Sequence, residues 1–149
     1  MLLLDLFRKT LTMNEITQPK VSIVKYLMIF VGVSGCFSVL FGAWLAHGGQ
    51  TLPVNVQSSL KTALQYQLFH TLALLATLIW VITSLSVKAP SKILLTACIG
   101  FLIGILCFSG SIYIKTFFSF PLIGKLTPFG GISLAVAWLF LSIEGKNNL

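Results

Sequence analysis

Four long apolar runs separated by short polar stretches dominate the chain, at 26–46, 66–87, 93–114 and 126–143. No Lys, Arg, Asp or Glu falls inside any of them. At ~1.5 Å per helical residue each run crosses a hydrocarbon core of about 30 Å, the fourth with least to spare. Lipid offers no partner for a backbone N–H or C=O, so runs of this kind are predicted to be helices that satisfy their own backbone. A cleavable signal peptide is rejected for the first run, because AWLAH places Trp44 where a peptidase needs a small residue. The pattern predicts an all-α polytopic membrane protein, an antiparallel four-helix transmembrane bundle.

The third run is the predicted packing hub. Ala97, Gly100, Gly104, Cys107 and Ser111 recur at alternating three- and four-residue intervals, which puts them on one face of a helix. Gly100 and Gly104 form a G-x-x-x-G pair, across which another backbone can come close. Ser38, Gly42 and Ala46 make a similar ridge on the first run, and Gly110, Gly130 and Gly131 are further expected packing positions. On the second run Tyr66, His70, Ala73, Thr77 and Ser84 share a face, which is predicted to point inward.

The connections are equally readable. His47-Gly48-Gly49 ends the first helix, and Pro53 opens a helix that runs unbroken into the second span. Residues 88–92 form a tight hairpin in which Pro90 cannot continue a helix and Ser91 can cap the next one. The third helix is expected to end at Lys115, TFFSFPLIGK to be an interfacial loop, and Glu144 and Lys146 to close the fourth helix. The result is one membrane domain, 26–143, between an N-terminal tail, 1–25, and a C-terminal tail, 144–149. MLLLDLF is too short to span; it reads as a weak interfacial helix or as a matter of start-site choice, with Met13 the alternative start.

Composition supports the membrane class. Hydrophobic residues make up 56% of the 149 residues and charged residues 9%. A soluble domain carries roughly 25% charged residues, so this chain lacks the polar surface to face water on all sides. The net charge is +7, but the basic residues flank apolar runs instead of clustering with aromatics. That pattern suits anionic headgroups and argues against a nucleic-acid partner. Cys36, Cys98 and Cys107 lie inside apolar runs with no C-x-x-C spacing, and read as small hydrophobes of the bundle core. With the N-terminus in the cytoplasm, the inner segments hold seven Lys/Arg and the outer ones three (Lys61, Lys115, Lys125), so both termini are expected inside.

Antiparallel crossing brings the end of the first span, the start of the second, the end of the third and the start of the fourth to one rim. His47, Tyr66, Gln67, His70, Ser109, Ser111, Tyr113 and Thr127 are therefore expected in one polar cap, with His70, Tyr66, Ser111 and Tyr113 hydrogen-bonded across helices. The opposite rim is expected to hold only lysines and the hairpin. A metal site from His47, His70 and Cys107 is disfavoured: Cys107 lies about two turns below Tyr113, and no carboxylate falls in any span. No metal and no other cofactor is expected. His70 reads first as a structural histidine and second as a pH-responsive one. FSGSIY lacks a nucleophile elbow and an acidic partner, so its small residues read as packing and back-bonding positions. Pro128 with Gly130-Gly131 can break a transporter helix, but the simpler reading is that Thr127-Pro128 starts the helix and the glycines pack.

GAWLAH at 42–47, ALQYQLFHTLALL at 63–75, GILCFSGSIY at 104–113 and LTPFGGISLAVAW at 126–138 fall in an order and spacing that resembles domain-of-unknown-function family 423, the small membrane proteins related to YgdD and YwdK, with transmembrane protein 256 as a eukaryotic relative. The resemblance covers about residues 26–143. Leu45 departs from it, standing where the family usually has a small residue, and predicts looser packing there. The stretch before Met13 is also unlike the family. The resemblance implies a four-span protein of the bacterial inner membrane and implies no activity.

Taken together, these readings favour a small membrane subunit, scaffold or accessory protein whose partners are the lipid bilayer and another copy of itself or a different membrane protein. The alternative is a carrier or channel for a small solute, with its site around His70. An enzyme is not expected, because no acid–base or metal constellation is present.

Overall fold

A computed structural model describes residues 2–85 and 91–148, with side chains over 22–84 and 91–147. Its helices are α1 (Leu2–His47), α2 (Val54–Leu85), α3 (Lys92–Ile105), α4 (Ser111–Phe118) and α5 (Thr127–Asn148). A π-turn, Leu106–Gly110, joins α3 to α4, and 3-10 turns occupy Gly49–Thr51 and Pro121–Leu126. Among the described residues four helical segments are long and apolar enough to cross a membrane: Ser22–His47, Val54–Ser84, Lys92–Phe118 and Pro121–Asn147.

The expected helix after Pro53 is present: the Pro53 carbonyl accepts the N–H groups of Val56 (2.9 Å) and Gln57 (3.0 Å), and α2 then runs without a break. Ser91 caps α3 by accepting the Ile93 N–H at 3.1 Å; residues 88–90 of the expected hairpin lie outside the described residues.

Several boundaries differ from the sequence reading. Residues 2–25 are helical, continuous with α1, whose candidate membrane span begins at Ser22; the side chains of MLLLDLF lie outside the described set. The third span passes Lys115 and ends after Phe118, where Ser119 turns into the left-handed region at φ 51°. The expected TFFSFPLIGK loop is therefore the last turn of α4 followed by a 3-10 turn. Helix α5 continues through the expected 144–149 tail as far as Asn148 and is unbroken at Pro128, Gly130 and Gly131. That extra turn carries Glu144 inward to 3% exposure, where its Oε2 accepts the Ser91 hydroxyl at 2.7 Å. The second rim thus holds a buried carboxylate, not lysines alone.

Helix α1 packs on α2, α2 on α3, and α3 on α5. The pairs run antiparallel, since partners descend one helix as they ascend the other. Ser91 meets Glu144, Gly100 meets Ala137, Gly104 meets Leu134 and Ser111 meets Thr127. Phe101, Leu74, Leu78, Val81, Leu94 and Cys98 fill the space between α2, α3 and α5.

Small residues set the α3–α5 distance. A Cβ at Gly100 would stand 3.1 Å from the Ala137 Cβ, and one at Gly104 would overlap Leu134. Gly130 presses on the π-turn itself: its Cβ would lie 2.7 Å from the Cys107 carbonyl carbon and 2.8 Å from the Phe108 Cα. These contacts fit the expected role of the third span. Gly42 makes ordinary contact with Leu64 (3.4 Å), and Gly131 meets only the Phe108 ring, at 3.8 Å. Gly110, expected in packing, has no heavy atom within 4 Å of where a Cβ would stand. Cys36, expected in the core, is exposed on α1. Leu45, where looser packing is expected, is 4% exposed and lies against the turn at Gly49.

The two glycines give opposite expectations. Gly130→Ala must push α5 off the backbone of Cys107 and Phe108 and should destabilise the bundle by about 1–3 kcal/mol. Gly110→Ala meets open space and gains helix propensity, so it should be neutral or stabilising by up to about 1 kcal/mol. Denaturant unfolding of each variant in detergent micelles, followed by circular dichroism, checks both signs.

Candidate functional site

Side chains of an α-helix lean toward its N-terminus. On the third span that lean carries Tyr113 down from the loop rim. On the antiparallel α2 it carries Gln67 up toward the same rim. The two meet: the Tyr113 hydroxyl donates to Gln67 Oε1 at 2.9 Å. The Gln67 Nε2 donates to α1, reaching the Ser34 carbonyl at 3.3 Å and the Ser34 Oγ at 3.0 Å. A carbonyl can only accept, so Ser34 fixes which end of the amide is nitrogen, and Tyr113 must be the donor at the other end. The Ser34 Oγ also pairs with the Thr71 Oγ1 at 2.8 Å, and the Ser38 hydroxyl donates to the Ser34 carbonyl at 2.8 Å. Ser34, Ser38, Gln67 and Thr71 are all buried. A polar seam therefore ties α1, α2 and α4 together, and its Ser34 end lies midway along the first span.

A second group pins the π-turn. The Ser109 hydroxyl donates to the Ala63 carbonyl of α2 at 2.7 Å. The Ser111 hydroxyl donates to the Phe108 carbonyl at 2.9 Å and lies 2.6 Å from the Thr127 Oγ1 of α5. A hydroxyl has one proton, so with that of Ser111 directed at Phe108, Thr127 is the donor between them. Below the turn, the Ser133 hydroxyl of α5 donates to the Gly100 carbonyl at 2.8 Å.

The expected polar cap is thus brought together in part. Gln67, Ser109, Ser111, Tyr113 and Thr127 do bond between helices. His70 does not reach Ser111. Its Nδ1 bonds the Tyr66 carbonyl of its own helix at 2.7 Å, which places the ring proton on Nδ1. Its ring packs among Tyr66, Phe101 and Trp138, deeper than the rim. Tyr66 is 42% exposed and lies flat on Phe108, with ring centroids 4.3 Å apart, instead of bonding across. His47 is exposed at the end of α1. The inward face of α2 accordingly runs through Gln67, Thr71, Leu74, Leu78 and Val81, with Tyr66 and His70 on its flank.

Ser34 and Thr71 were missed by sequence reasoning. The available signal was that each is a hydroxyl residue well inside an apolar run, where a polar group must find a partner inside the protein. Among the described residues no group of three His, Cys, Asp or Glu can hold a metal, and no buried side-chain nitrogen or oxygen lacks a hydrogen bond.

A double-mutant cycle tests the seam. Tyr113→Phe leaves the Gln67 Oε1 without its donor and should cost about 0.5–1.5 kcal/mol. Gln67→Leu should cost more, and the pair should show a coupling of about 0.5–1.5 kcal/mol in unfolding experiments. Tyr66→Phe, whose ring contact survives, should stay near zero.

No solved structure matches this chain. A family model described as a protein of unknown function, DUF423, matches residues 41–131. A UPF0382 membrane protein of Haemophilus influenzae is 39% identical over 119 residues, covering 79% of this chain and 90% of that protein. The UPF0382 inner membrane protein YgdD of Escherichia coli is 29% identical, covering 80% and 88%. The UPF0382 membrane protein YwdK of Bacillus subtilis is 29% identical, covering 85% of this chain and 100% of that protein. With the family model spanning the start of α2 and the π-turn with its Gly130 seat, the chain belongs to the DUF423 family of membrane proteins.

Proposed function

We propose that this protein acts as a small membrane subunit or scaffold, binding through its span faces to further copies of itself or to another membrane protein. The observation that supports this is the use made of the polar groups in the spans. The amide of Gln67 and the hydroxyls of Ser34, Thr71, Ser109, Tyr113 and Ser133 are all engaged in bonds between helices. A solute path needs hydrophilic groups left available to the solute, and charge-coupled transport normally needs ionisable ones. Here the carrier reading would rest on His70, whose Nδ1 is held by its own helix. Large apolar faces also remain: the fourth span buries 17% of its most apolar stretch and the third 39%. The reading includes no enzymatic step and no cofactor.

In this proposal the protein sits in the bacterial inner membrane with both termini in the cytoplasm. The basic residues support that orientation: Lys61, Lys115 and Lys125 are the three on the loop rim, against seven elsewhere.

Purification in a gentle detergent with mass spectrometry of the intact complex tests the role. A fixed stoichiometry, either of this chain alone or with one partner, is the expected outcome. A monomer that carries a bound small molecule would overturn the subunit reading in favour of a carrier. Reporter fusions at Leu149 test the orientation: a cytoplasmic fluorescent reporter should be active there, and a periplasmic phosphatase reporter should be silent.

A further inference from the structure

The loop rim carries a cavity of about 680 Å³ between the start of α2, the outer side of α4 and the 3-10 turn before α5. Asn55, Ser58, Thr62, Lys115, Thr116 and Thr127 supply its polar lining. Some of those hydroxyls are already used: Thr62 donates to the Ser58 carbonyl and Thr127 to Ser111. The Lys115 ammonium, the Asn55 amide and the Ser58 and Thr116 hydroxyls make no hydrogen bond among the described residues, so their donors remain available in the cavity.

The charge around this cavity is one-sided. The chain has three acidic residues, Asp5, Glu15 and Glu144. Glu144 is buried at the other rim against Ser91. Among the residues whose side chains are described, no carboxylate therefore lies by Lys115, whereas Lys61 and Lys125 add to the same potential. An ammonium with three donors, flanked by hydroxyls and an amide in a concave space at headgroup depth, matches a phosphoryl group.

We propose that this cavity binds a phosphoryl group, with Lys115 as its charged anchor and Asn55, Ser58 and Thr116 as further donors. The group is carried either by an anionic lipid at the rim or by a soluble phosphate ester. This goes beyond the subunit reading and stands or falls separately from it.

Two arms, run on the purified full chain in detergent, test it. In the first, native mass spectrometry compares retention of phosphatidylglycerol with that of phosphatidylcholine. In the second, thermal unfolding is followed with glycerol phosphate against sodium chloride at equal ionic strength. A Lys115→Gln variant should lose about fivefold in the responding arm, the effect of one lysine charge near a surface. Lys115→Arg should keep most of the response, and Lys125→Gln, outside the cavity, should lose clearly less than Lys115→Gln. A response confined to the first arm identifies a lipid headgroup, and a response in the second identifies a soluble ester. Silence in both arms, an unchanged Lys115→Gln variant, or an equal loss in Lys125→Gln would overturn the proposal, the last by showing diffuse attraction instead of a site.

Discussion

Everything in this bundle depends on one constraint: inside lipid, a polar group must find its partner within the protein. The chain meets it in two ways. Thr77, Thr83, Thr96 and His70 bond back to carbonyls of their own helices, which answers the group and says nothing about neighbours. Ser34, Gln67, Ser109, Tyr113 and Ser133, with the Ser111–Thr127 and Ser91–Glu144 pairs, bond across, and it is bonds of this kind that fix one helix against another. Interhelical hydrogen bonds in membranes average about 0.6 kcal/mol each, so the crossing bonds do more to select a register than to hold the helices together. A slip of one residue on α2 would strand the Gln67 amide, the Tyr113 hydroxyl and the Ser34–Thr71 pair at once.

Holding the helices together falls to close packing, and the π-turn is where packing and hydrogen bonding meet. Helix α5 can seat on the Cys107–Phe108 backbone because Gly130 presents no side chain there. At the same turn Ser109 is directed to α2 and Ser111 to α5. The third span is thereby gripped from both sides over a few residues. A π-turn inserts one residue into the helical ladder and is rare without a compensating contact. Here the compensation is visible, since the Phe108 carbonyl receives both the backbone N–H and the hydroxyl of Ser111.

How much of this was legible depended on the range of the interaction. Span number, helix starts at Pro53, Ser91 and Thr127, and the small-residue contact of Gly100 and Gly104 follow from local chemistry and helical period, and all are present. What failed needed rotation or depth. Tyr66 and His70 share a stripe with buried Ala73 and Thr77, but the α2 stripe that meets α1 passes through Gln67 and Thr71, and a helical wheel alone cannot choose between adjacent stripes. Glu144 read as a terminal charge because the apolar run stops before it, yet one more helical turn buries it against Ser91. The π-turn has no periodic signature, because it interrupts the period on which the reading relied. Gly110 was expected in packing only because it is small, and smallness alone does not say whether a neighbour faces it.

The order of packing also explains why so much apolar surface is left over. In a closed four-helix bundle each helix touches two neighbours. Here α1 packs chiefly on α2 and α5 chiefly on α3, so the two outer helices each keep a broad unpaired flank. The flank of α5 includes Phe129, Ile132, Val136 and Leu139, all exposed. On α1 the rings of Phe37, Phe41 and Trp44 reach Tyr113 and Phe117 near the loop rim, and so draw α1 toward the third span at one end. The Tyr113 ring is thus braced by aromatic contacts while its hydroxyl holds Gln67. One residue thus couples the apolar contact at the rim to the hydrogen-bonded seam.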